Sequence, residues 1–92
     1  MHVNFYATLR PIVGGKTVDV PLTAPQSARA ILEMVTDKRN ELAQEIWHAP
    51  GELNEHIKVF INGRQSVHLP QGLNTILQLD DTLDVFPPVG GG

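Results

Sequence analysis

The sequence has 92 residues, 41% of them hydrophobic and 18% charged, with seven basic and ten acidic side chains, a formal net charge of -3 and no cysteine. A chain of this size forms one domain and buries only about 60–70% of the surface its unfolded form exposes, without disulfides or thiolate metal ligands to help. Thiol nucleophiles, redox pairs and Cys-based zinc sites are excluded, so any sulfur chemistry on this chain has to use another group. The basic residues Arg10, Lys16, Arg29, Lys38, Arg39, Lys58 and Arg64 are scattered and form no stripe suited to a phosphate backbone, which argues against nucleic acid as a partner. Residues 1–9 lack the pattern of a signal peptide and no segment approaches the roughly 20 apolar residues of a membrane span, so a cytoplasmic protein with no membrane partner is expected.

In chain order, Val3, Phe5, Ala7 and Leu9 alternate with His2, Asn4, Tyr6 and Thr8, the period of a strand with one buried face. Pro11 and Gly14-Gly15 read as breakers and a turn, and Val18, Val20 and Leu22 then alternate as a second strand, closing a hairpin. Ser27 is a candidate N-cap ahead of Ala28, Ile31, Leu32 and Val35, whose spacing lines one face of the main helix. Leu42, Ile46 and Trp47 predict a shorter helical stretch starting near Asp37 and closed by Pro50-Gly51. Ile57, Val59 and Ile61 then form a strand, Asn62-Gly63 a tight hairpin turn, and Gln65 to His68 its return. After the Asp80-Asp81 turn, Leu83 and Val85 mark the last strand, ended by Pro87-Pro88. Hairpin, helix, hairpin and last strand make an α+β domain over residues 1–92, a mixed sheet with one main helix on one face.

Two features carry chemistry. The first is the tail Pro87-Pro88-Val89-Gly90-Gly91-Gly92, expected to be extended and flexible; after Phe86 it can span about 20 Å. Glycines without Cβ atoms can thread a narrow channel, and the two prolines stiffen the exit. The second follows from strand parity: if Val3, Phe5, Val59, Ile61, Leu83 and Val85 face the helix, then Tyr6, Phe60 and Phe86 point to the opposite face. Leaving three large side chains outside forgoes several kcal/mol, at about 1.5–3 kcal/mol each, and such a cluster marks a contact surface. His2, His48, His56 and His68 fall in different elements without helical pairing, so no metal site is expected. Ser27 is better used as a cap and Ser66 falls in a predicted edge strand, which leaves no Ser-His-Asp constellation and argues against an enzyme with an internal catalytic side chain.

The stretch Ile61-Asn62-Gly63-Arg64, the loop Gly72-Leu73-Asn74-Thr75, the turn Leu79-Asp80-Asp81 and above all Val85-Phe86-Pro87-Pro88-Val89 running to Gly91-Gly92 resemble the ubiquitin-like sulfur carriers of the MoaD/ThiS family. That family includes the small subunit of molybdopterin synthase and the thiamine sulfur carrier. Ala7-Thr8-Leu9-Arg10 and the helix from Ala28 to Val35 extend the likeness over essentially the whole chain. The resemblance implies a β-grasp fold, with the first and last strands side by side at the centre and the third strand flanking the last. Tyr6, Phe86 and Phe60 would then form one contiguous row. Two departures stand out. Asp81 occupies a position where the family commonly has Gly, so it is expected in a left-handed conformation, and Gly90 makes the ending a triple glycine.

The resemblance also implies a chemistry. An ATP-consuming, E1-like adenylating enzyme would join the Gly92 carboxylate to AMP, and a persulfide or sulfide donor would displace AMP to leave a thiocarboxylate. Gly90, Gly91, Pro87 and Pro88 would thread the tail into partners, and Tyr6, Phe60 and Phe86 would dock on them. The carrier itself binds no cofactor in this scheme. The expected destination is molybdopterin synthesis, with the synthase large subunit as downstream partner. The alternatives are a protein modifier joined through Gly92 by isopeptide bonds, and sulfur delivery to thiamine, cysteine or tRNA thiolation.

Overall fold

A computed structural model describes residues 1–88. Strand β1 (His2–Phe5) leads through a short helix α1 (Leu9–Val13) to β2 (Thr17–Asp19), and β3 (Gln26–Ser27) runs straight into the main helix α2 (Ala28–Thr36). Helix α3 (Asn40–Ile46) is followed by a small hairpin, β4 (Trp47–Ala49) and β5 (Glu52–Leu53), then by β6 (Lys58–Ile61) and β7 (Arg64–Gln65). Two 3-10 turns, β8 (Ile76–Leu77) and β9 (Leu83–Phe86) complete the described chain. The main sheet has the order β2-β1-β9-β6-β7, with β1 and β9 parallel and every other neighbouring pair antiparallel. This is the β-grasp arrangement, with the first and last strands at its centre.

Strand parity sets the two faces. Val3, Phe5, Val59, Ile61, Leu83 and Val85 are all 5% exposed or less and meet Ala28, Ile31, Leu32 and Val35 of α2 in one apolar core, to which α3 adds Leu42 and Ile46. The Ser27 hydroxyl caps α2 by accepting from the Ala30 amide at 3.1 Å, which satisfies one of the donors a helix start leaves open. Asn62 and Gly63 both have positive φ, as a two-residue hairpin turn between right-twisted strands requires.

Several expectations are corrected. Pro11 does not break the chain; it sits in the first turn of α1, where its missing N–H costs no helical bond. Trp47 is not helical but opens β4, and its indole N–H donates to the buried Thr36 hydroxyl at 2.9 Å. The predicted return strand from Gln65 to His68 is strand only at Arg64–Gln65, and Ser66 lies buried in a 3-10 turn rather than on an edge strand. Asp81 does not take a left-handed conformation; its carboxylate accepts the Gln78 amide at 2.7 Å and closes the turn without one. The pairing of β3 with β8, two residues each, gave no periodic signal. Pro87 is buried, so the body extends one residue into the expected tail, while Pro88 is exposed.

Among non-glycine residues described, only Ala7 and Asn62 have positive φ. Ala7, at φ 52, turns the chain out of β1 into α1, a conformation that costs a residue with a Cβ about 1–2 kcal/mol. Two stability outcomes are expected in urea denaturation. Phe5→Ala, at a fully buried site, costs about 3–5 kcal/mol, whereas Ala7→Gly raises stability by about 0.5–1 kcal/mol, the relieved strain minus the added freedom of the unfolded chain.

Candidate functional site

The outer face of the sheet carries two rows of side chains, fixed by strand register. Thr17, Asn4, Asp84, Phe60 and Gln65 are successive cross-strand partners across all five strands. The second row lies nearer the tail. Lys58 pairs with Phe86, and Tyr6 follows Phe5 in the parallel register that sets Phe5 beside Val85, its amide donating to the Val85 carbonyl at 3.2 Å.

The predicted aromatic residues come together. The Tyr6 and Phe86 rings stack with centroids 4.1 Å apart and planes 6° from parallel, and Phe60 meets Phe86 edge-on at 5.3 Å. Each ring is half-buried and touches a neighbouring ring, so the three form one apolar ridge rather than three separate exposed residues. Phe86 is the last residue of β9, which puts the ridge at the base of the tail.

Arg10 extends the stack. The turn at Ala7 brings α1 back over β1, and the Arg10 guanidinium carbon lies 5.2 Å from the Tyr6 ring centroid, on the face that Phe86 leaves open. Its Nε donates to the Phe5 carbonyl at 2.9 Å, which fixes the side chain, and its two terminal nitrogens have no hydrogen-bond partner among the described residues.

Asp84 sits at the centre of the inner row. One of its oxygens, Oδ1, accepts from Asn4 Nδ2 at 2.9 Å and from the Tyr6 hydroxyl at 3.3 Å, and Asn4 in turn accepts from the Thr17 hydroxyl at 2.8 Å. The Tyr6 pKa is raised above its ordinary 10.0, first by desolvation, then by the Asp84 charge and the hydrogen bond to it, with Arg10 opposing.

Of the other sequence-derived site residues, Pro87 and Pro88 continue directly from Phe86, and Gly90, Gly91 and Gly92 lie outside the described residues. Among the described residues no group of three or more His, Asp or Glu side chains is placed to hold a metal ion, and no helix is long and apolar enough to cross a membrane. An open cleft of about 510 Å³ between Met1, His2 and Asp80 lies at the far end of the sheet from the tail and gathers no catalytic set. Sequence reasoning missed Arg10 and Asp84. Asp84 shares the parity of Phe86, so the alternation that found the ring also pointed to the carboxylate, whereas Arg10 reaches the face only through the strained turn at Ala7.

A β-grasp sheet with an aromatic outer face at the base of a glycine-ended tail is the build of a ubiquitin-like carrier. The chain belongs to the ThiS family, whose sequence profile matches residues 3–92, and so to the class of ubiquitin-like sulfur carriers and small protein modifiers. It is 34% identical to small archaeal modifier protein 3 of Haloferax volcanii over 92 residues, covering 100% of this chain and 98% of that one. A putative sulfur carrier protein of Archaeoglobus fulgidus is 32% identical over 79 residues, or 86% of this chain and 85% of the relative. The crystal structure of small archaeal modifier protein 1 from Haloferax volcanii superimposes with a TM-score of 0.84 at 28% identity, covering 100% of this chain and 98% of that one.

The chain has a single tyrosine, so phenolate absorbance reports Tyr6 alone. In an alkaline titration Asp84→Asn lowers the Tyr6 midpoint towards 10.0 and Arg10→Gln raises it. The fold favours the neutral phenol. Its contribution to stability is therefore complete below 10.0 and is lost as pH rises through the higher native midpoint. Urea stability should fall across that window, and by less in Tyr6→Phe.

Proposed function

We propose that this protein carries sulfur as a thiocarboxylate on Gly92. A free carboxylate, with an ordinary pKa of about 3.3–3.7, is ionised at neutral pH and is a poor acyl donor. An E1-like enzyme transfers AMP from ATP to the Gly92 carboxylate and releases pyrophosphate. Sulfide then attacks the acyl carbon and AMP leaves; with a persulfide donor, a second thiol cleaves the acyl disulfide. The carrier contributes reach and a docking ridge, and the activating enzyme supplies the electrostatic stabilisation of the transferring groups. The observation that carries this reading is the aromatic ridge of Tyr6, Phe86 and Phe60 at the base of the Pro87-Pro88 exit. A contact surface there would hold a partner beside the point where the chain leaves the sheet. Residues 89–92 add at most about 14 Å beyond the described body. The proposed destination of the sulfur is molybdopterin synthesis, with the tail entering the synthase large subunit.

A second reading, conjugation of Gly92 to lysines of target proteins, is favoured by the names of the two Haloferax volcanii relatives that the chain matches over its whole length. Both fates begin with the same adenylate. Incubation with the activating enzyme of the same organism, ATP and sulfide should give an intact-mass gain equal to one sulfur-for-oxygen exchange. Conjugate ladders without that gain would replace the carrier by the modifier, and transfer of the sulfur to molybdopterin precursor with the large subunit tests the destination. Deleting Gly91-Gly92 should abolish the mass gain without moving the urea midpoint. Phe86→Ala and Phe60→Asp should weaken enzyme binding more than they weaken folding; equal losses would show the ridge to be structural only.

A further inference from the structure

The tail-side row of the outer face runs Arg10, Tyr6, Phe86, Lys58: two aromatic rings bracketed by two cations. Neither cation has its charge matched by a described carboxylate. Among the described residues neither lies within ion-pairing distance of a carboxylate, Arg10 uses only its Nε internally, and Lys58 is exposed. One row further from the tail, Asp84 has both of its described hydrogen bonds on Oδ1, which leaves Oδ2 open to a donor from outside. The acidic side chains Asp19, Asp80 and Asp81 lie beyond it, towards the opposite end of the sheet. The face is thus polarised along the direction in which the tail leaves, cationic beside the exit and acidic away from it.

We infer that this polarity selects the partner and sets its orientation. The occupant is a protein surface with an apolar socket for the Tyr6–Phe86–Phe60 ridge, carboxylates on both sides of the tail channel facing Arg10 and Lys58, and a hydrogen-bond donor facing Asp84 Oδ2. Charge complementarity of this kind contributes orientation and encounter rate more than raw affinity. It also keeps two copies of the carrier from docking tail to tail, because their cationic rows would meet. The inference rests on the docking reading above and adds Arg10, Lys58 and Asp84 as specificity determinants, whereas the ridge supplies apolar contact.

The test is the KM for the carrier in ATP–pyrophosphate exchange by the activating enzyme of the same organism, measured from low to high salt. The double variant Arg10→Gln/Lys58→Gln should raise KM roughly threefold to tenfold at low salt, as expected for one or two exposed ion pairs, and should flatten its rise with salt. Asp84→Asn should raise KM in the same range. Phe86→Ala should raise KM while leaving the salt dependence as steep as in the wild type. Lys58→Glu, at an exposed position, keeps the test sound if loss of the Arg10–Phe5 contact disturbs folding; its KM should rise more than that of Lys58→Gln. If Phe86→Ala raises KM while the charge variants change neither KM nor its salt dependence, the polarity inference falls and the ridge reading stands. If Phe86→Ala also has no effect, the docking reading itself falls. Self-association of the wild type through this face in sedimentation, abolished by Phe86→Ala, would overturn the partner assigned here in favour of a second copy.

Discussion

The parallel pairing of β1 with β9 is the constraint on which the rest of the molecule depends. It joins residues about eighty positions apart, as the Asn4–Asp84 hydrogen bond at 2.9 Å illustrates, and it places the first and last strands side by side within the sheet. Loop-closure entropy for so long a span has to be offset by what the pairing buries. Val3 and Phe5 on one strand and Leu83 and Val85 on the other are all fully buried against α2. The same register carries the outer face. Tyr6 stacks on Phe86 only because their strands run parallel and in step, so one alignment builds both the core and the aromatic ridge.

Much of this was legible in the sequence, and for a specific reason. Alternation with period two is a geometric property of extended chain, so the inward set of Val3, Phe5, Val59, Ile61, Leu83 and Val85 and the outward set of Tyr6, Phe60 and Phe86 could be separated without knowing which strands were neighbours. Ser27 and Asn62-Gly63 were readable because caps and tight turns are set by local chemistry. The elements that escaped depend on tertiary context. Helix α1 is one and a half turns long and contains a proline, β3 and β8 have two residues each, and Trp47 leaves the helical pattern because its indole finds Thr36. The site divides in the same way: its aromatic part follows from parity, while Arg10 needs the left-handed turn at Ala7 to reach Tyr6.

The two faces of the sheet have different tasks, and the chain keeps them from interfering. On its three central strands the inner face is apolar, and α2 and α3 close it. The outer face mixes rings, a carboxylate and cations, and its polar atoms satisfy one another through Thr17, Asn4, Asp84 and Tyr6, so no described buried side-chain nitrogen or oxygen lacks a partner. Substitutions on the outer face can therefore change its chemistry with small effects on the core.

The position of β9 has a consequence for biosynthesis. Since the central strand ends at Phe86, the core cannot close until that residue has cleared the ribosome, however early β1 and α2 emerge. A chain that stops short of Phe86 therefore displays no ordered ridge, because the ring that stacks on Tyr6 and meets Phe60 edge-on is missing. Core and ridge are therefore completed in one event, because the strand that supplies Leu83 and Val85 to the inside also supplies Phe86 to the outside.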